Sequence, residues 1–169
     1  MLLALLLKFE ELFDGTLGDW KLPPVSFEIK EGAMLYHGRP CPIPKIHKAT
    51  LMKEIDCLIA IGVLKWQPLS KWASPSFTIP KKDQTVRAIS DFRELNKCIV
   101  RKPYPIPKIS TTLQELEGFT YATTLDLNMG YYTIRLDPTA AKMCTIIFPW
   151  GKYSYQRLPM GFAGSADIF

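Results

Sequence analysis

Histidine is nearly absent from this chain, cysteine is sparse and scattered, and no apolar run approaches the length of a membrane span. Each shortage excludes something. His37, Cys41 and His47 match the spacing of no common zinc finger and lack a fourth ligand, so no zinc is expected. Cys41, Cys57, Cys98 and Cys144 include no C-x-x-C pair and read as reduced, mostly buried thiols without a disulfide framework. The opening Met1-Leu2-Leu3-Ala4-Leu5-Leu6-Leu7 has no positive stretch before it, meets Lys8 and then Glu10-Glu11, and shows no small-residue cleavage site. It is far short of the ~20 apolar residues that a span needs, so no membrane partner is expected and a cytoplasmic or nuclear location is. Internal repeats and low-complexity tracts are also missing.

What is present is enough for one folded unit. The 169 residues are 47% hydrophobic, which can fill a core. Between Lys81 and Lys108 stand eight basic residues against three acidic ones, which accounts for the whole net charge of +5. Such a block favours a polyanion, although a solvated charged loop is the commoner meaning of a basic run.

The coarse element reading is α+β. Leu2, Leu5, Leu6, Phe9, Leu12 and Phe13 fall on one helical face, which predicts a docking helix or a piece cut from a longer protein. Five prolines between Pro23 and Pro44 predict an extended arm. The spacing of Leu51, Ile55, Leu58, Ile59 and Ile61 predicts a helix over 47–64, with Gly62 as terminator. Ser76–Pro80 and Val86–Ser90, joined by a polar turn, predict a hairpin with Lys81 and Lys82 at its tip. Short helices are expected over 91–97 and 109–116, strands over 120–125 and 132–136, a second hairpin from 143–148 and 152–157, and a helix beginning at Ala163.

Five motifs then follow in order. They are Ser74-Pro75-Ser76-Phe77 with Pro80-Lys81-Lys82-Asp83, Arg87 through Asp91-Phe92-Arg93-Glu94-Leu95-Asn96, Tyr104-Pro105-Ile106-Pro107, Leu125-Asp126-Leu127-Asn128-Met129-Gly130-Tyr131, and Leu158-Pro159-Met160-Gly161-Phe162. From about residue 40 to 169 the succession resembles a reverse transcriptase, and looks most like those in polyproteins of gypsy-type long-terminal-repeat retrotransposons. The resemblance implies a right-hand polymerase fold, with 1–40 as N-terminal helix and connector, 41–118 as a fingers-like region, and 119–169 as the start of a truncated palm.

It also implies roles. Asp126 matches the family's first metal-binding aspartate, with the Leu127 backbone carbonyl as a further ligand for Mg²⁺ in a two-metal nucleotidyl transfer. Lys81, Lys82 and Arg87 match the fingers tip that closes on a deoxynucleoside triphosphate; which of the two lysines meets phosphate stays open. Tyr131 matches the bulky residue beneath the nucleotide sugar, and Met160 lines the nucleotide pocket where retroviral enzymes carry glutamine. Phe77, Ile89, Arg93 and Gly161 match template-side positions.

The family's Tyr-x-Asp-Asp turn is absent, and the chain stops just inside a helix, so the expectation is a fragment. With one of three aspartates it is expected not to polymerise DNA, and to associate with itself through uncovered palm surface. The alternatives are a non-catalytic module that binds template-primer, and a transposon remnant without function.

Overall fold

The computed structural model describes residues 2–81, 85–116, 118 and 120–169. Helix α1 (Leu2–Lys8) is followed by a 3-10 turn over Glu10–Phe13, and neither buries a side chain. The expected docking face is therefore exposed rather than packed on the core.

Residues 14–44 form no helix, as their prolines require. They lie along the body, with single bridges from Val25 to Leu136, Ile29 to Ile99 and His37 to Ala73. Phe27 stacks on Phe162 with ring centres 4.1 Å apart. Helix α2 (Lys45–Ala60) buries Leu51, Ile55 and Leu58, a single stripe at helical spacing. It ends where Gly62 takes φ +74°, with the Val63 N–H turned back onto the Leu58 carbonyl.

Among the described residues five strands make one sheet: β1 (Leu64–Trp66), β2 (Ser74–Pro80), β3 (Val86–Ser90), β4 (Thr145–Phe148) and β5 (Gly151–Tyr155). Their order is β1-β5-β4-β2-β3, antiparallel throughout except for the parallel β2–β4 pair. Gly151 opens β5 because the Trp66 ring lies 2.1 Å from where a Cβ would stand. The remaining helices are α3 (Arg93–Cys98), α4 (Ile109–Glu115), α5 (Pro138–Met143) and α6 (Ser165–Ile168). Phe92, Leu95, Ile146, Phe148 and Leu158 fill the centre of the core.

Several expectations are corrected. Residues 120–125 are exposed and form no strand, because no described strand lies beside them to share backbone hydrogen bonds. The segment from Tyr132 begins inside a 3-10 turn, Gly130–Thr133, and reaches the sheet region only through bridges at Arg135 and Leu136. Strand β1 and helix α5 were not foreseen. The start of α5 was written in Asp137-Pro138-Thr139, since the Asp137 carboxylate accepts from Thr139 and Ala140 N–H at 2.6 and 2.9 Å and proline suits the first turn. Of the cysteines, all free, Cys144 alone is buried and Cys57 is exposed, so "mostly buried" does not hold.

Candidate nucleotide and nucleic-acid site

The β2–β3 hairpin supplies the first half of the site. Its register sets Phe77 opposite Ile89, Thr78 opposite Ala88 and Ile79 opposite Arg87, so Phe77 and Ile89 share one face. The hairpin closes on Lys81, whose N–H donates to the Thr85 carbonyl at 2.8 Å. Lys82 lies outside the described residues.

The second half comes from the turn after Asp126. Met129 holds φ +54°, a left-handed conformation costing a side-chain-bearing residue about 1–3 kcal/mol, and Gly130–Thr133 then coil as a 3-10 turn. Tyr131 is half-buried, edge-on to Phe169 at 5.1 Å and 87°. Gly130 permits that approach, because a Cβ there would come within 3.0 Å of the Phe169 ring.

The two halves face each other across an open cleft of about 660 Å³ lined by Arg87, Asp126, Leu127, Tyr131, Met160 and Phe169, among others. An adjoining cavity of about 380 Å³ shares Arg87, Met129 and Met160, and adds Lys81, Ile89, Gly161, Glu54, Tyr132 and Tyr155. Sequence-predicted residues far apart in the chain are thus brought to one continuous opening. Phe77 borders neither cavity, and Arg93 stands apart from both.

Charge pairing separates the arginines. Arg93 donates Nε and Nη2 to the Asp91 carboxylate at 2.8 and 2.6 Å, so its fork is already engaged. That bidentate contact holds the Asp91 carboxyl below its ordinary range. Arg101 is tied to Asp167, and Arg135 and Arg157 share Asp19. The Arg87 guanidinium, by contrast, makes no hydrogen bond or ion pair among the described residues, and neither does the Lys81 ammonium. A guanidinium left unpaired at the wall of a cleft keeps its planar fork for a phosphate.

Two contributors escaped the sequence reading. Asn96 donates from Nδ2 to the Gly161 carbonyl at 3.0 Å and accepts from the Ala163 N–H at 2.9 Å, clamping the loop that carries Met160. Gly161 holds φ +86°, and a Cβ there would touch the Ser90 carbonyl oxygen at 3.4 Å. Asn96 was legible as the last letter of its motif; its long-range partners were not. Glu54 on α2 is the other, and carried no motif at all.

Asp126 is exposed, and among the described residues no three His, Cys, Asp or Glu side chains are placed to share a metal ion. The Leu127 carbonyl already accepts the Gly130 N–H at 3.3 Å. One carboxylate and one carbonyl do not satisfy a pair of hard, near-octahedral Mg²⁺ ions. The described residues therefore do not fit a two-metal centre.

Comparison with known proteins now decides the family. Residues 79–169, more than half of the chain, match the family described as reverse transcriptase (RNA-dependent DNA polymerase). The chain belongs to the reverse transcriptase family. Among its relatives, the retrovirus-related Pol polyprotein from transposon opus of Drosophila melanogaster is 29% identical over 98% of this chain and 17% of that polyprotein. The Pol polyprotein from transposon gypsy of the same organism is 31% identical over 69% of this chain and 12% of its own length. The chain thus spans under a fifth of these relatives. The native prototype foamy virus protease-reverse transcriptase superposes with a TM-score of 0.85 at 28% identity, covering 99% of this chain and 23% of that one. The foamy viral enzyme in complex with an RNA/DNA hybrid gives 0.80 at 24% identity over the same shares, a likeness of fold alone. This reverse transcriptase-family chain is a mixed helix and sheet fragment of that polymerase fold.

Proposed function

We propose that this chain forms the fingers and the first part of the palm of an RNA-directed DNA polymerase, with 1–40 as helix and connector, 41–118 as fingers and 119–169 as the start of the palm. The observation that carries the proposal is the cleft itself, in which an unpaired Arg87 faces the same opening as Asp126, Tyr131 and Met160. Arg87 and one fingers-tip lysine, Lys81 or Lys82, take the triphosphate of a deoxynucleotide, Tyr131 stands against its sugar, and Met160 closes the pocket by apolar contact. An RNA or DNA template-primer crosses the Phe77–Ile89 face and the Gly161 loop, with Arg93 reaching phosphate through its remaining N–H groups. The family generally works with divalent metal ions; here Asp126 is the ligand the chain offers to Mg²⁺.

Binding of a fluorescein-labelled RNA/DNA hybrid, followed by anisotropy, tests the assignment. Affinity should fall steeply with salt, and R93A should weaken it about fivefold with a shallower salt slope. Salt-independent binding, or none at low salt, would sink it.

A second reading, a nucleic-acid-binding module without catalysis, is favoured by the lone Asp126. Titration with a deoxynucleoside triphosphate separates the two, since hybrid binding without nucleotide binding selects the second. Exposed Tyr121, Leu125 and Leu127 are the proposed route of self-association, to be read from the concentration dependence of sedimentation. No helix among the described residues is long and apolar enough to cross a membrane, and we place the protein in the cytoplasm or nucleus.

A further inference from the structure

Helix α2 carries a charge where its pattern asks for an apolar residue. Leu51, Ile55 and Leu58 are its buried stripe, and Glu54 falls on that stripe, one position from Ile55 and four before Leu58. Glu54 is half-buried and lines the 380 Å³ cavity together with Lys81, Arg87, Tyr132 and Tyr155. A carboxylate so placed costs free energy unless something compensates it.

The tyrosines are not that compensation. The Tyr155 hydroxyl is 3.1 Å from Ser90 Oγ, and among the described residues no hydrogen bond joins either tyrosine hydroxyl to Glu54. The compensation is cationic: burial pushes the Glu54 carboxyl up, and Lys81 and then Arg87 pull it partly back. Yet neither cation comes within 4 Å of it, so they are attracted without being locked.

We propose that Glu54 is a positioning residue for the triphosphate site: a resident anion that holds Lys81 and Arg87 on the cavity side of the hairpin and competes with the incoming triphosphate for them. This rests on the assignment of Arg87 to phosphate. A fingers tip whose cations had no internal counter-charge would splay by mutual repulsion when empty and hold its polyanion too long when full. Glu54 moderates both.

The test uses the whole 169-residue chain and inorganic tripolyphosphate without metal, followed by titration calorimetry at fixed ionic strength. Glu54→Gln keeps the side-chain shape and removes the charge. Affinity should rise about fivefold, and the gain should shrink in the R87Q background and vanish in the K81Q/R87Q background. Glu94→Gln, which removes an equally negative residue paired with Lys97 outside the cavity, should change nothing. An unchanged or weaker E54Q, or an equal gain with and without Arg87, overturns the proposal. If neither wild type nor E54Q binds tripolyphosphate, the phosphate assignment fails on its own. The role of Glu54 is then read from urea unfolding of E54Q, R87Q and the double variant: non-additive midpoints keep the Glu54–Arg87 coupling, and additive ones remove it.

Discussion

Asp167, on the last helix, accepts both Nε and Nη2 of Arg101, at 2.6 and 3.1 Å, and its side chain is all but enclosed by the contact. The same carboxylate accepts the Tyr104 backbone N–H at 3.2 Å. Two segments distant in sequence are joined at one side chain: α6, and the proline-rich stretch between α3 and α4 that carries both Arg101 and Tyr104. D167N should release that stretch. Hydrogen exchange at the Tyr104 amide should quicken, while amides of β4 and β5 keep their protection; unchanged exchange at Tyr104 would show that the prolines alone hold it.

Asp19 ties the N-terminal arm to Arg135 and Arg157, and these contacts lower its carboxyl to about 2. A depressed folded value means stabilisation that is complete above the unfolded value near 4 and lost as pH falls through about 2. D19N should therefore unfold at a lower temperature than wild type at pH 7. The difference should close on approaching pH 2, and a gap that stays constant across that window would remove Asp19 from the account.

Asn96 should matter more than its partial exposure implies, because it holds both ends of a turn that must keep Gly161 at positive φ. N96A should cost about 1–2 kcal/mol, one net hydrogen bond on each side, in urea unfolding. It should also weaken hybrid binding, since Met160 and Gly161 lose their fixed position. Wild-type affinity with reduced stability would confine Asn96 to folding.

Phe92 is 1% exposed and lies edge-on to Tyr155 at 6.0 Å, two residues after the end of β3. F92A should cost about 3–5 kcal/mol, as a large core deletion does. G151A should cost about 1–3 kcal/mol by driving a methyl group into the Trp66 ring. Unfolding midpoints measure both.

Local pattern was enough for much of this molecule. The α2 stripe, the polar turn between β2 and β3, the hairpin around Trp150-Gly151 and the proline-rich arm were legible because periodicity and turn chemistry act over a few residues. The family resemblance implies one site for Arg87, Asp126, Tyr131 and Met160, and these four line one cleft.

Where the chain disagreed with its local pattern, the presence or absence of a partner was the cause. Residues 120–125 have strand composition but no described strand beside them, and backbone hydrogen bonds rather than propensity make a strand. Arg93 and Arg87 look alike in sequence, yet the neighbouring Asp91 occupies one and nothing described occupies the other. The sequence by itself determined helix α2, the two hairpins, the extended arm and the family, since each is encoded within a short window. Tertiary structure alone decided which cations stay unpaired, that Asn96 clamps the Gly161 loop, and that Glu54 lies beneath Lys81 and Arg87, because charge and hydrogen-bond pairing depend on distances no linear spacing contains.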